Sequence, residues 1–219
     1  MRVEDFITRL RAAMFDEADP HFWSDEELVA YLNEAVQEAC ERARLIEDRS
    51  MPLVLVPGQD TYELHASVFQ IKRLTVRGIP LDETSVEELD RDAPGWELRS
   101  GMPRCFIFEQ ACGARPPKVR LVPAPMVADP ASLTVYRGAL KPLSADSDQG
   151  KPEIPERFHE RLMDWVMHRA HQKQDAEVFD PSKAAQSLAL FTQAFGERID
   201  ANVQRKHRAR NPPVVRSNW

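Results

Sequence analysis

The distribution of glycine and proline is the feature that most restricts how this chain can fold. Residues 1–50 contain no glycine and a single proline, whereas residues 51–150 contain seven of the eight glycines and most of the prolines. Residues 155–205 are again almost free of both residue types. Because glycine and proline interrupt helices and mark turns, this pattern predicts a helical segment, a strand-rich block and a second helical segment.

Helix signals are clearest in the first segment. Apolar residues at four-residue steps predict a first helix from Val3 to about Met14. Ser24 and Glu27 have the spacing of a capping box, which predicts a second helix that starts there and runs to about Leu45.

Two more helices are predicted after the strand-rich block. Pro155 suits the first position of a helix, and the pattern that follows it extends to about Val178. Asp180 is a suitable cap for a fourth helix beginning at Pro181, whose apolar face extends to Ile199.

Short apolar or alternating stretches predict β-strands within residues 51–150. These stretches are Leu53–Val56, Thr61–Leu64, Phe69–Arg77, Cys105–Phe108, Lys118–Val122 and Leu133–Tyr136. Their spacing predicts a small antiparallel sandwich or barrel. The predicted fold class is therefore α+β: residues 1–50 and 151–204 form a discontinuous helical bundle, and residues 51–150 form an inserted antiparallel β-sandwich or barrel-like domain. Residues 205–219 form an extended C-terminal arm.

Composition narrows the class of protein. The formal net charge of −6 and the 42% of hydrophobic residues are typical of a globular protein and not of a general nucleic-acid binder. Cys40, Cys105 and Cys112 lack a metal-binding spacing, so we expect free thiols in a reducing compartment. No apolar run approaches the roughly 18 residues of a membrane span, and the acidic N-terminus is unlike a secretory signal. We therefore expect an intracellular protein without membrane association.

A polar arc on the third predicted helix is the candidate for a metal site. Arg161, Asp164, His168, His171 and Asp175 fall on one side of that helix. Asp164 and His168 could form a metal pair, but no H-E-x-x-H pattern or third ligand accompanies them. We therefore predict a solvated face with an ordinary Asp164–His168 ion pair and no metal. Alanine at His168 and His171 is expected to change stability by no more than about 0.5 kcal/mol.

The apolar arc of the same helix covers about half of its circumference, which is more than a helix packed on one side needs. Either this helix lies at the centre of its own bundle, or one flank contacts another subunit. The sequence alone leaves both alternatives open.

Motifs for catalysis are missing from the sequence. It contains no nucleophile elbow, P-loop or dinucleotide-binding glycine motif. The acidic residues Asp90, Asp92, Glu97 and Glu109 have no spacing that would bring them together. We therefore predict that the protein is not an enzyme and binds no cofactor.

The last fifteen residues form a basic arm without an acidic residue. We expect this arm to be flexible alone, because it has too few apolar residues to form a core, and to become ordered against a partner. A purely solubilising role is the alternative. The terminal Trp219 favours docking, because a large aromatic side chain is a common interface anchor.

A series of motifs resembles the head-to-tail adaptor (connector) proteins of tailed bacteriophages over roughly residues 3–200. In chain order, the motifs are Trp23-Ser24-Asp25-Glu26-Glu27-Leu28 with Tyr31-Leu32-Asn33-Glu34-Ala35, Pro57-Gly58 with Tyr62-Glu63-Leu64, Pro94-Gly95-Trp96 with Gly101-Met102-Pro103, Leu121-Val122-Pro123-Ala124-Pro125, and Ile154-Pro155 with Trp165, Arg169-Ala170 and Lys173-Gln174-Asp175.

The resemblance implies a helical bundle with an inserted β-domain, and a structural protein of the virion neck that is made in the host cytoplasm. It implies a ring, usually dodecameric, that binds the portal, surrounds the DNA channel and offers a docking surface to the next neck or tail protein. In such families the C-terminal segment commonly grips the portal. The residues expected to do so here are Arg205, Lys206, Arg208, Arg210, Arg216 and Trp219. The acidic net charge suits a channel through which genomic DNA passes without sequence-specific contact.

Two other functions stay open at this point. One is a phage-associated enzyme, either a nuclease or a cell-wall hydrolase, with its site in the β block. The other is a nucleic-acid-binding module that uses the basic arm. An enzyme should be active without partners, and a nucleic-acid binder should show a steep dependence on salt.

Overall fold

The structure, a computed structural model, describes residues 1–146, 150–175 and 177–198. The described part is α+β, with five α-helices and a curled mixed sheet. The chain divides into two compact units, which are residues 1–46 with 137–198, and residues 47–136. The sequence predicts domain bounds at residues 50 and 151, and the domain assignment itself stays a prediction.

The central helix of the first unit is the fourth of the chain. The helices are α1, Val3–Met14; α2, Asp25–Ala43; α3, Val86–Asp92; α4, His159–Ala170; and α5, Pro181–Phe195. All except α3 belong to the first unit, where α4 packs against α1, α2 and α5. This position accounts for the wide apolar arc of α4. It favours a helix at the centre of its own bundle over a helix with one flank against another subunit.

Local capping determines where α2 and α5 begin, as predicted. The Ser24 hydroxyl accepts a hydrogen bond from the Glu27 N–H, and the Glu27 carboxylate accepts one from the Ser24 N–H, each at 3.2 Å. The Asp180 carboxylate accepts hydrogen bonds from the N–H groups of Ser182 and Lys183, each at 3.0 Å. These side chains satisfy donors that a helix N-terminus otherwise leaves without partners.

The third predicted helix is shorter than its pattern indicates. A 3-10 turn, Glu156–Phe158, precedes α4, and α4 ends at Ala170 rather than near Val178. The Asp180 N–H then donates to the carbonyl of His171 at 3.1 Å, which closes the connection to α5. The chain has to reverse here so that α5 can pack on α4, and this tertiary requirement outweighs the helical periodicity of residues 171–178.

Glycine also ends the last helix earlier than predicted. α5 ends at Phe195, and Gly196 adopts a φ of 83°, which residues with a side chain rarely adopt. Ile199, which the sequence places on the apolar face of this helix, lies outside the described residues.

The β-structure lies almost entirely in the second unit. The strands are β1, Ile46–Val54; β2, Thr61–Glu63; β3, Val68–Val76; β4, Ile79–Glu83; β5, Ser100–Gly101; β6, Cys105–Glu109; β7, Lys118–Val122; β8, Ala124–Pro125; and β9, Pro130–Arg137. Seven strands form one sheet in the order β1-β9-β3-β4-β6-β7-β2, and β5 pairs with β8.

The sheet is mixed rather than antiparallel, which corrects the predicted topology. β4 pairs in parallel with β6, with Asp82 opposite Cys105, and β5 pairs in parallel with β8. The connection between β4 and β6 contains α3 and the 3-10 turn Trp96–Leu98, and is long enough to return the chain in the same direction. The large sheet curls into a half-barrel, so it resembles the predicted barrel-like domain more than the predicted sandwich.

Each unit has a buried core of its own. In the first unit, Phe6, Trp23, Leu162 and Phe191 are fully buried between the helices. In the second unit, the larger cluster of buried side chains includes Leu74, Val76, Val119, Leu121, Leu133 and Val135. Such cores make each unit a firm support for the side chains on its surface.

Candidate functional site

The residues predicted to bind the portal lie outside the described residues. They are Arg205, Lys206, Arg208, Arg210, Arg216 and Trp219. Their role therefore stays a prediction. The described chain ends at Arg198, whose guanidinium lies 2.9 Å from the Glu41 carboxylate and 3.9 Å from that of Glu38, both on α2.

The predicted polar arc of α4 is buried at Asp164 and His168, which corrects the expected solvated role of these two residues. Asp164 and His168 are only 7% and 9% exposed, whereas Arg161 and Asp175 are exposed and His171 is half-buried. His159, which precedes the arc on the same helix, is 4% exposed. Nδ1–H of His168 donates to the carbonyl of Ala184 in α5 at 2.8 Å, and Nε2–H of His159 donates to the carbonyl of Ile154 at 2.9 Å. Helical periodicity separates the polar side of α4 from its apolar side, but does not show which elements cover the polar side.

Burial also shifts the pKa values of two groups on α4, His159 and Asp164. Burial lowers the pKa of His159, because the imidazolium form would lose its hydration. Burial raises the pKa of Asp164, whose Oδ2 has no hydrogen-bond partner within the described part of the chain. The predicted ion pair between Asp164 and His168 is not formed among the described residues.

Three of the four acidic residues considered in the β block form a hydrogen bond or an ion pair with another side chain. Asp90 accepts a hydrogen bond from the indole of Trp96 at 2.8 Å, and Asp92 and Glu97 each pair with an arginine. Glu109 is exposed at the end of β6. Across residues 1–146, 150–175 and 177–198, no three His, Cys, Asp or Glu side chains come together in a way that could hold a metal ion.

Arg120 on β7 organises the segment around Trp96. Its guanidinium lies 2.8 Å from Asp60, 3.1 Å from Glu97 and 4.6 Å from the centre of the Trp96 ring. Burial would raise the pKa of Asp60, but hydrogen bonds from Arg120 and Thr61 outweigh it and hold that pKa below its ordinary value. The Pro94-Gly95-Trp96 motif therefore contributes to the fold of the second unit.

One exposed apolar surface of the second unit surrounds the β5–β8 pair, and we call it the β5–β8 edge. Its members are Val54, Val56, Met102, Met126 and Val127, whose exposed fractions range from 45% to 70%. Clusters of exposed apolar side chains on a protein surface are typical of contacts with other proteins.

Backbone pairing brings the members of this edge together. Gly101 pairs with Pro125, so the methionines that follow them, Met102 and Met126, leave the strand pair side by side. The N–H of Gly58 donates to the carbonyl of Pro125 at 2.8 Å, which holds the turn after β1 against the same strand pair. The chain segments around 54–56, 102 and 126–127 thus share one end of the unit.

In the first unit, a groove of about 440 Å³ follows one face of α2, and we call it the α2 groove. Its lining consists of Ala30, Asn33, Glu34, Gln37, Glu38, Glu41 and Trp165. The first six recur at three- and four-residue steps, which places them on one face of the helix. Trp165 comes from α4, which packs beside α2.

A model of the SU10 adaptor protein family matches residues 1–217. The chain belongs to the SU10 adaptor protein family. The predicted resemblance to phage head-to-tail adaptors is thereby confirmed. No curated protein matches the chain.

Membership of the SU10 adaptor family implies a structural protein that binds neighbouring proteins of the virion. The matched range contains both units and the five basic residues of the arm, and ends before Trp219. Among the described residues of this SU10 adaptor, none of the helices is both long enough and apolar enough to span a membrane.

Sequence reasoning missed both surfaces of this adaptor. Val54 and Val56 were visible as part of a predicted strand, and Met126-Val127 as an apolar pair after a proline. A strand pattern does not show which side chains stay uncovered, because that depends on the parallel pairing of β5 with β8. The α2 groove needs Trp165, which lies more than 120 residues away along the chain from α2.

Proposed function

We propose that this SU10 adaptor forms a dodecameric ring in the virion neck, which binds the portal, surrounds the DNA channel and presents a docking surface to the next neck or tail protein. The observation that carries the proposal is the family match over residues 1–217. The folded units and residues 205–217 of the basic arm fall within that match.

The arm supports attachment to the portal. Five arginine or lysine side chains and no acidic one occur in residues 205–219. Arginine predominates, and its planar guanidinium pairs with a carboxylate through two hydrogen bonds, which suits an acidic groove of a partner protein. Trp219 adds a large apolar anchor at the end. Each contact can be weak, because many copies in a ring engage together.

The β5–β8 edge supports the second attachment, to the next neck or tail protein. Its five apolar side chains are exposed in the single chain, so covering them on assembly would contribute to binding. A charged side chain at Met126 would then lose its hydration in the assembled state and weaken that contact.

Electron microscopy of the adaptor mixed with its portal tests the proposal. The full chain is expected to give rings on portals, and a chain ending at residue 204 is expected to attach less. Trp219→Ala should produce part of that loss, and Met126→Asp should leave portal attachment intact but reduce binding of the next neck component. Glu87→Gln, an exposed change on α3, serves as the control.

Two results contradict the proposal. If the chain ending at residue 204 attaches to portals as well as the full chain does, the arm is a solubilising tail. If the arm instead binds DNA with a steep salt dependence and the portal is not bound, the nucleic-acid-binding alternative is favoured. Portal binding and DNA binding differ in the surroundings of Trp219. A protein groove would bury this side chain, and a phosphate backbone would not.

A further inference from the structure

The α2 groove ends where the described chain ends. Arg42 on α2 donates a hydrogen bond to the carbonyl of Gly196 at 3.2 Å, which holds the end of α5 beside α2. Two residues later, Arg198 pairs with Glu41 at 2.9 Å and lies 3.9 Å from Glu38. Both glutamates line the groove. The remaining 21 residues, 199–219, therefore start from this end of the groove.

The length of the groove is well within the reach of this segment. Between Glu41 and Ala30 the groove follows eleven helical steps, which is about 16 Å at 1.5 Å per residue. An extended chain advances about 3.3 Å per residue, so roughly five residues cover that distance. Residues 199–219 are long enough to enter the groove, reverse and place basic side chains along it.

The floor of the groove contains an indole that needs a hydrogen-bond acceptor. The ring of Trp165 packs on Phe191 at 5.0 Å and on His168 at 5.5 Å between ring centres. Its Nε1–H is buried and has no acceptor among the residues that the structure describes. A buried donor without a partner is unfavourable, and the apolar ring of Trp165 gives an occupant of the groove a surface to pack on.

Charge also favours this occupant. Residues 1–198 contain 24 basic and 34 acidic side chains, a net charge of −10, whereas residues 199–219 contain five and one, a net charge of +4. Glu34 and Glu41 stand in the lining with side chains 45% and 43% exposed, and each has an arginine partner at 2.9 Å. A carboxylate has acceptor capacity for a second guanidinium, so an arginine of the segment can join these pairs.

We propose that the chain's own C-terminal segment, residues 199–219, occupies the α2 groove in the free subunit, in place of the flexible arm that the sequence alone predicts, and that the portal displaces it during assembly. The displacement step rests on the proposed function, whereas occupation of the groove does not. Covalent linkage gives the segment an effective concentration in the millimolar range, so a weak contact is enough to hold it. Such a contact withholds the basic side chains from DNA and other acidic partners until the portal competes for them.

Limited trypsin digestion of the free full-length adaptor tests the inference, with cleavage at Lys206, Arg208 and Arg210 followed by mass spectrometry. We expect the arm of the intact chain to be cleaved about two- to tenfold more slowly than a synthetic peptide of residues 199–219, which is the protection that two partly exposed ion pairs provide. The double variant Glu34→Gln/Glu41→Gln should remove most of that protection.

Glu160→Gln is the matched control for these variants. Glu160 is an exposed glutamate of the same unit that pairs with Arg9 at 3.8 Å and does not line the groove. Its replacement should leave the cleavage rate unchanged. For the unaltered chain, sodium chloride at about 1 M should accelerate cleavage of the arm relative to the peptide, because screening weakens the ion pairs.

Three results overturn the inference. The first is that the arm is cleaved as fast as the free peptide. The second is that its protection survives the double variant. The third is that its protection falls when the protein is diluted, which assigns the groove to the arm of another copy. The assay contains no portal, so a negative result leaves the proposed function intact. Equally, if the adaptor fails to bind portals, the protection of the arm can still be measured. The proposed function and the inference therefore fail independently.

Discussion

We expect the replacement of His168 by alanine to lower the free energy of unfolding by about 2–3 kcal/mol. Nδ1–H of His168 donates to the carbonyl of Ala184 at 2.8 Å and joins α4 to α5. A hydrogen bond of this kind contributes about 1 kcal/mol. The imidazole is also buried beside Trp165, at 5.5 Å between ring centres, and its removal leaves a cavity that costs about 1–2 kcal/mol more.

Urea unfolding followed by circular dichroism measures this change, and His171→Ala is the control. His171 follows α4 by one residue and is only half-buried, and its Nδ1 lies 3.5 Å from the carbonyl of Val178, which is too long for a strong hydrogen bond. We expect His171→Ala to lower the free energy of unfolding by less than about 1 kcal/mol. If His168→Ala costs no more than about 0.5 kcal/mol, or no more than His171→Ala, the polar arc is a solvated face after all and our reasoning from burial is wrong.

Three further predictions concern buried groups of the first unit. Because burial raises the pKa of Asp164, its neutral form is favoured in the folded state, and the resulting stability is lost as pH rises through that pKa. Asp164→Asn should therefore raise the melting temperature at pH 7 and do so less at pH 4; an equal change at both pH values would contradict this. Burial raises the pKa of Cys40 to about 12, so iodoacetamide followed by mass spectrometry should label the exposed Cys112 in the folded protein, and Cys40 only after unfolding. Rapid labelling of Cys40 under native conditions would show that its packing is loose. The indole of Trp23 donates to the carbonyl of Ala170 at 3.3 Å, so Trp23→Phe should cost about 1 kcal/mol in a urea titration, and an unchanged midpoint would show that this hydrogen bond contributes nothing.

Local features of the sequence were sufficient to predict how α2 and α5 begin. Ser24 with Glu27 and Asp180 with its following N–H groups act within three residues of each other, so their geometry depends little on the rest of the chain. The alternation of glycine-poor and glycine-rich segments predicted the α+β class for the same reason. The order of short motifs predicted the adaptor family, which the match over residues 1–217 confirms.

Helix ends and strand directions required the tertiary structure. The periodic pattern after Ala170 continues, but the helix stops there so that α5 can fold back on α4. The parallel pairing of β4 with β6 depends on the path of the connection that contains α3, and strand spacing carries no information about that path.

The candidate surfaces also required the tertiary structure. Asp164 and His168 form a polar arc in the sequence, yet they are buried because neighbouring elements cover that side of α4. The α2 groove combines a face of α2 with Trp165 from a distant part of the chain. The sequence by itself determined the fold class, the starts of α1, α2 and α5, and the family, because each depends on neighbouring residues or on the order of motifs. Burial and surface geometry were decided only by the tertiary structure, because they depend on which distant elements pack against each other.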